Sequence, residues 1–451
     1  MKGLFVFLLV LVIESVSAQS NAPSALPLDL IQLPDGFSIS LYTTTAVPSA
    51  RQLALSRGRN AVYRNIQVVY VGSTGSEVVA LVDAEGIGSN ITAVTVLTNQ
   101  TQPNGVVWHE GSLYVAETRR ITRYDNPDVY AISGQAFPSG TVIAEDWNPI
   151  QDDHQYHFIG VGPDGYLYVP QGAPSNTGPC NAYQNITQCA INRMDLDGSN
   201  QLTLATGIRN SVGFDWDDGG NLWATTNGRD NLDGLGPIHD NRPDDTLFYI
   251  PNGTQPDTLD FGFPYCHWVG EGDPELRSVG SGTSIVDDVN FPPGIPNTTD
   301  AQSQYCFNVT DDHPPSQALG PHVAALGVAF YQGDMFPMQY NGSLFIAQHG
   351  SWDRVPKIGY RVMNAAVMAN GSTTSYEYFA SGWLQNASDT SSNAYWGRPV
   401  DVLPLPDGSI LVSDDYANTV YRITYEAPVV NATPIPFTTV TNTSNAYYFV
   451  G

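Results

Sequence analysis

The sequence predicts an all-β fold, a six-bladed β-propeller with long loop insertions, on three observations. A short strand phrase recurs six times, turn residues are abundant, and no helical period is sustained. The phrase is a turn of Asp, Asn or Glu with Gly, followed by an alternating apolar strand. It reads Glu110-Gly-Ser-Leu-Tyr-Val-Ala116, Pro163-Asp-Gly-Tyr-Leu-Tyr-Val169, Asp218-Gly-Gly-Asn-Leu-Trp-Ala224, Asn341-Gly-Ser-Leu-Phe-Ile-Ala347 and Pro406-Asp-Gly-Ser-Ile-Leu-Val412, with a looser copy at Gln67-Val-Val-Tyr-Val-Gly72. Asp-Gly ahead of β-branched and aromatic residues is a hairpin signal, and regular copies mean a repeat architecture. The 42 Gly and 32 Pro supply the turns. Stretches with a helical period are broken by Gly, Pro or Asn within two turns.

Taken from the N-terminus, Lys2, the apolar run Leu4–Ile13 and the small residues Val16-Ser17-Ala18 predict a signal peptide over residues 1–18, cleaved before Gln19. The ten apolar residues are short for a bilayer span. Residues 19–451 then form a single propeller domain, expected to be secreted and monomeric. Copies of the phrase lie about 45 to 65 residues apart, the usual size of a propeller blade. The exception is the gap from Asp230 to about Leu319, read as blade strands plus long insertions.

Eleven Asn-x-Ser/Thr sequons, at Asn90, Asn99, Asn185, Asn252, Asn297, Asn308, Asn341, Asn370, Asn386, Asn431 and Asn442, predict a glycosylated surface. The cysteines are Cys180, Cys189, Cys266 and Cys306. An even set in an oxidising compartment allows three pairings. Cys180–Cys189, a short loop closure, with Cys266–Cys306 is the favoured one; a zinc site would want a Cys-x-x-Cys pair, which is absent.

A formal charge of −26, with 18 Lys and Arg against 44 Asp and Glu, argues against nucleic acid and anionic membranes as partners. The 42% hydrophobic content is ample for a large core. A propeller gathers loops from every blade around a funnel at its axis, so functional residues should be scattered along the chain.

Four loop motifs carry a resemblance. Asp153-His154-Gln155, Gly207-Ile208-Arg209-Asn210, Gln348-His349-Gly350-Ser351-Trp352-Asp353-Arg354 and Trp396-Gly397-Arg398-Pro399-Val400-Asp401-Val402 together resemble the soluble quinoprotein glucose/sorbosone dehydrogenases. The nearest branch is the fungal pyranose dehydrogenases that use pyrroloquinoline quinone (PQQ). The resemblance spans roughly residues 28–425 and is carried by the order of the motifs, each beside a blade strand.

That resemblance implies a secreted enzyme that oxidises a pyranose, aldose or ketoaldose with PQQ and Ca²⁺. His154, by itself an ordinary polar-loop histidine, becomes the general base for the sugar hydroxyl. Arg209 and Asn210 become the pair that polarises the cofactor, with Arg209 also catalytic. Arg51, Asn104, Asp153, His349 and Arg398 complete the cofactor site. Arginine suits a planar tricarboxylate with an ortho-quinone. In an acidic chain these arginines should create a local anion site. The carbonyls of Gly228 and Arg229, in Thr226-Asn227-Gly228-Arg229-Asp230, resemble the calcium loop; read alone, the stretch is an Asn-Gly turn.

Three departures from the bacterial relatives matter. They carry a carboxylate that orients the base where this chain has Ala173, so the tautomer of His154 must be set otherwise, by Asp153 or a backbone carbonyl. His157 or Asp153 could share the base role. A bacterial lysine falls at His349 and an arginine at Val400. Tyr265, His267, Trp268, Trp352 and Trp396 lie near these loops as sugar platforms or blade packing. With no Cys-x-x-Cys-His haem site, the expected electron acceptor is external: a copper polysaccharide monooxygenase or a quinone. The competing readings are a calcium-dependent lactonase on a similar propeller and a non-catalytic glycan-binding propeller.

Overall fold

A computed structural model describes residues 26–56, 66–145, 154–177, 179–180, 182–183, 186–231, 242–256, 259–269, 283–286, 295–296, 298–310 and 313–428. The expected signal segment 1–18, Asp153, and the sequon residues Asn185, Asn297, Asn431 and Asn442 lie outside the described residues. The other seven sequon asparagines are all exposed. No helix among the described residues is long and apolar enough to cross a membrane.

Six antiparallel sheets form the blades of a β-propeller. Five run in chain order, with four blade strands each: Ala50–Ser56 to Thr92–Leu97, Gly105–His109 to Thr141–Glu145, Gly160–Val161 to Leu202–Thr206, Phe214–Trp216 to Gln317–Pro321, and Ala325–Phe330 to Thr373–Ala380. The sixth takes Pro399–Pro404, Ile410–Asp414 and Thr419–Tyr425, and is completed by the N-terminal strand Phe37–Leu41. That strand pairs from Phe37 with Tyr425 to Leu41 with Tyr421, so both ends of the described chain close one sheet. Each of the six repeated phrases is the second strand of its blade: Gln67–Ser73, Ser112–Ala116, Leu167–Gln171, Leu222–Thr226, Leu344–Gln348 and Ile410–Asp414. The pleat explains the phrase, because this central strand is covered by a blade on either face and admits apolar residues throughout.

The long gap resolves as expected into blade strands and an insertion. Asp244–Ile250 and Gln317–Pro321 finish the fourth blade. Between them Leu259–Asp260 adds a parallel strand to the third blade, and Cys266–Val269 pairs with Thr283–Val286. The helix Thr299–Thr310 departs from the sequence expectation. It carries no apolar stripe to announce it; Thr298 Oγ1 receives the Ala301 N–H at its start, and Cys306 ties it to Cys266. The pairings are Cys180–Cys189 and Cys266–Cys306, as favoured.

Apolar side chains fill each junction between neighbouring blades. The largest cluster joins the fifth and sixth blades around Phe345, Phe379, Trp383 and Tyr421, all essentially inaccessible. A smaller cluster of Phe158, Val212, Leu326 and Val400 lies at the axis. Val400, where bacterial relatives place an arginine, belongs to this apolar plug.

The closing strand is held by aromatic contacts as well as its ladder. The Phe37 ring meets Phe336, Phe379 and Tyr340 edge-on, with centroids 4.7, 5.1 and 5.4 Å away. Phe37→Ala is expected to cost roughly 2–4 kcal/mol, read from the urea midpoint at unchanged slope. A midpoint equal to the parent's would mean that this contact does not hold the ring closed.

Candidate active site

First and second strands of a blade run antiparallel, so the start of one and the end of the other reach the same lip of the funnel. Thr74, Asn227, His349 and Asp415 are each the residue just past a second strand. Arg51, Ala324 and Arg398 stand at or just before the start of a first strand. All seven line one axial cavity of about 680 Å³. The wall also includes His154, Tyr156, Asn176, Arg209, Asn210, Gly228, Asp230, Asp245, His322 and Trp352, and Val212 and Leu326 bring the apolar plug to its floor.

The cavity therefore gathers His154, Arg51, Arg209, Asn210, Gly228, His349 and Arg398 from the predicted set. Arg229 and Asn104 are not among its lining residues. Asn104 is buried, and its amide nitrogen and oxygen find no hydrogen-bond partner among the described residues. His157 does not line the cavity; burial pushes its imidazole down to about 3, so it stays neutral and is a poor proton acceptor at neutral pH. Of the aromatic candidates, Trp352 is 61% exposed on the cavity wall, whereas Trp396 is buried beside Trp383.

His154 Nδ1 lies 2.7 Å from the Ala173 carbonyl oxygen. A carbonyl only accepts, so Nδ1 carries the proton and Nε2 the lone pair. The backbone carbonyl thus sets the orientation of the His154 ring. Gly172 makes the approach possible: a Cβ there would sit 2.4 Å from His154 Cβ and 2.7 Å from Asn210 Oδ1.

Arg209 is fixed on two sides. Its Nη2 donates to Asn176 Oδ1 at 2.9 Å and to Asp230 Oδ2 at 2.8 Å, and its Nε donates to the Asn176 carbonyl at 3.3 Å. Asn210 Nδ2 donates to Asn227 Oδ1 at 3.0 Å. Gly228 N donates to Asp245 Oδ1 at 2.8 Å, and burial raises the Asp245 carboxyl. Arg398 donates to the carbonyls of His349 and Gly350, both at 3.0 Å.

On the opposite wall Asp415 accepts from Arg51 Nη1 at 2.9 Å and from His349 Nε2 at 2.8 Å. Burial works to raise the Asp415 carboxyl, but His349, Arg51 and Arg398 outweigh it and hold it well below the usual carboxylate range. Burial, then Arg398, push His349 down to about 4 despite Asp415. Asp415 is therefore neutralised by Arg51 and takes a hydrogen bond from a neutral imidazole.

The expected basic patch is instead a compensated one. Three arginines, Arg51, Arg209 and Arg398, share the wall with Asp230, Asp245 and Asp415. Such a wall fits a tricarboxylate whose charge is largely offset by a divalent cation better than it fits a bare trianion. Two buried polar atoms of the wall residues, Asn210 Oδ1 and Arg51 Nε, lack a protein partner among the described residues and remain for a polar ligand. For a metal, oxygen donors stand at the Gly228 side. Asp230, His322 and Asp353 offer ligand atoms within 4.8 Å of one another, with His322 Nδ1 3.6 Å from an oxygen of each carboxylate.

Asn176, Asp230, Asp245, His322 and Asp415 were not assigned from the sequence. Aligning the ends of the second strands would have found Asp415 with His349. Asn176 has no such signal, because it lies beyond the second strand's end in a connection whose length differs from blade to blade.

A family model described as TrAA12-like matches residues 54–426. The PQQ-dependent pyranose dehydrogenase of Coprinopsis cinerea is 27% identical over 289 residues, covering 59% of this chain and 37% of that protein, so the chain spans little over a third of that relative's length. An uncharacterized protein of Borreliella burgdorferi is 26% identical over 405 residues, 88% of this chain and 91% of its own. Among solved structures, the holo PQQ domain of the Coprinopsis cinerea pyranose dehydrogenase aligns with a TM-score of 0.68 at 20% identity, over 87% of this chain and 97% of that domain. The family AA12 carbohydrate-active enzyme of Trichoderma reesei aligns at 0.67 and 18% identity, over 88% and 98%.

The neutral His349 has a consequence for stability. Its native pKa lies below the ordinary 6.5, so the unfolded chain binds a proton that the native state refuses. The cost is absent above pH 6.5 and grows as pH falls toward 4. His349→Gln keeps an N–H donor for Asp415 and should flatten the acid limb of the stability curve by up to about 1.4 kcal/mol per pH unit. Parallel limbs in parent and variant, from denaturation at stepped pH, would contradict this.

Proposed function

The chain belongs to the TrAA12-like family, and from that premise we propose that it is a quinoprotein sugar dehydrogenase that oxidises a pyranose or related aldose or ketoaldose with PQQ and Ca²⁺. The observation that carries the reading is the convergence, in one cavity, of a tautomer-defined histidine with Arg51, Arg209 and Arg398. The pyranose dehydrogenase named for the Coprinopsis relative supports the substrate class.

When bound, PQQ supplies the two-electron acceptor for hydride, and Ca²⁺ the Lewis acid beside it. The protein's part is to hold and to move a proton. His154 Nε2 takes the hydroxyl proton of the sugar as its C–H bond gives up hydride, and the Nδ1–H bond to Ala173 keeps the ring aimed through the transfer. Arg209, locked by Asn176 and Asp230, presents its remaining N–H donors to the cofactor's oxygens. Arg51 and Arg398 would hold carboxylates on the opposite wall, with His349 fixing Asp415 beside them, and the Gly228 and Arg229 carbonyls would serve the calcium. Trp352 offers an exposed indole at the wall for a sugar's C–H face.

The enzyme is secreted and glycosylated in this reading, works as a monomer, and passes electrons to a copper polysaccharide monooxygenase or a quinone. A calcium-dependent lactonase needs an acidic central site, whereas this one sets three arginines against three aspartates. The test is reconstitution. Protein freed of metal and cofactor should be inactive, and PQQ with Ca²⁺ together should restore sugar-dependent dye reduction, while NAD or flavin should not. Sugar oxidation supported by either of those instead, or none with PQQ and Ca²⁺ across a panel of aldoses and ketoaldoses, would overturn the reading.

A further inference from the structure

The stretch Gly172–Thr177 touches both halves of the site at once. The Ala173 carbonyl accepts from His154 Nδ1 at 2.7 Å, and the Ala173 N–H donates to the Arg209 carbonyl at 2.7 Å. Three residues on, Asn176 holds the Arg209 side chain through both its carbonyl and its Oδ1. The same Oδ1 accepts the Asp230 N–H at 2.8 Å, and Nδ2 donates to the Asp230 carbonyl at 2.7 Å. One amide side chain thus pins the arginine and the turn next to Gly228 and Arg229.

A loop is a soft support for such a task unless something stiffens it. Here that is a disulfide. Cys189 is inaccessible and packs with Ala173 and Phe263, Cys180 packs against the same group, and the two cysteines are bonded. The Cys189 carbonyl accepts the Ile208 N–H at 2.9 Å, just ahead of Arg209.

We propose that Gly172–Thr177, stapled by Cys180–Cys189, is a single positioning element for base and cofactor clamp, in which Ala173 sets the proton-accepting nitrogen of His154 and Asn176 is the positioning residue for Arg209. The inference rests on the dehydrogenase reading for the roles of His154 and Arg209, but its geometry is measurable without any cofactor.

Two variants separate the arms. In Cys180→Ala/Cys189→Ala, imidazole ¹⁵N shifts of the cofactor-free protein should show His154 as a mixture of tautomers, where the parent shows Nδ1–H alone. With PQQ and Ca²⁺ the same variant should lose kcat by about 10²-fold at nearly unchanged KM, the size expected for a misplaced reacting group. In Asn176→Ala the His154 tautomer should stay as in the parent, while PQQ dissociates faster and kcat falls. Cys266→Ala/Cys306→Ala, which removes the disulfide outside this loop, should leave the His154 shifts unchanged. An unaltered tautomer in the Cys180/Cys189 variant, an equal change in the Cys266/Cys306 variant, or an Asn176→Ala protein matching the parent in PQQ retention and kcat would each overturn the proposal. Failure of the dehydrogenase reading looks different: no protein, parent included, oxidises sugar, and the NMR shifts still decide whether the loop positions His154.

Discussion

Closing six sheets into a ring leaves the first strand of every blade with one edge facing the axis, where neither another strand nor bulk water is available. Those backbone groups must be met by side chains. Asp401 of the sixth blade accepts the Leu53 N–H of the first at 2.8 Å. Gln52 Oε1 accepts from Val106 and Ile159 of the next two blades. Asp215 accepts from Phe330, and Asp245 from Ala325, across the fourth and fifth. Burial raises Asp401 to about 7 and Asp215 to about 6, since donated backbone N–H groups offset only part of the lost hydration. The ring is thus fixed at its centre by polar contacts, and along its radii by the apolar clusters between blades.

That construction determines what the funnel can present. Strand ends of the first, fourth, fifth and sixth blades meet at the cavity, so residues far apart in the chain become neighbours. His349 and Asp415 are 66 positions apart and hydrogen-bonded. The floor is apolar, the walls carry balanced charge, and His154, its tautomer set by a backbone carbonyl, shares the cavity with a locked arginine. A net charge of −26 over the whole chain does not make the cavity acidic, because three arginines there balance three aspartates, with Arg51 paired to Asp415 and Arg209 to Asp230.

Much of this was legible in the sequence, for identifiable reasons. The central strand of a blade is covered on both faces and follows a tight turn, so its signature repeated faithfully enough to count the blades. His154, Arg209, His349 and Arg398 stood in short motifs beside those strands. What escaped depended on loops. Asn176 lies in a connection whose length differs from blade to blade, and no periodicity points to it. Asp415 follows Asp414, and nothing local says which of the two faces the funnel; the pairing of Asp414 with Pro399 decides it. The helix Thr299–Thr310 is held by a cap and a disulfide instead of an apolar stripe, so its residues carried no helical period.

The central claim is that His154, held by the Ala173 carbonyl, is the proton acceptor in sugar oxidation. Single-turnover reduction of protein-bound PQQ by sugar tests it most directly, followed by absorbance in parent and His154→Ala proteins loaded to equal PQQ content. The variant should be slower by roughly 10²–10⁴-fold, the range for a lost general base, with PQQ affinity little changed because the arginines hold the cofactor. A rate within about threefold of the parent, far below that range, would contradict it.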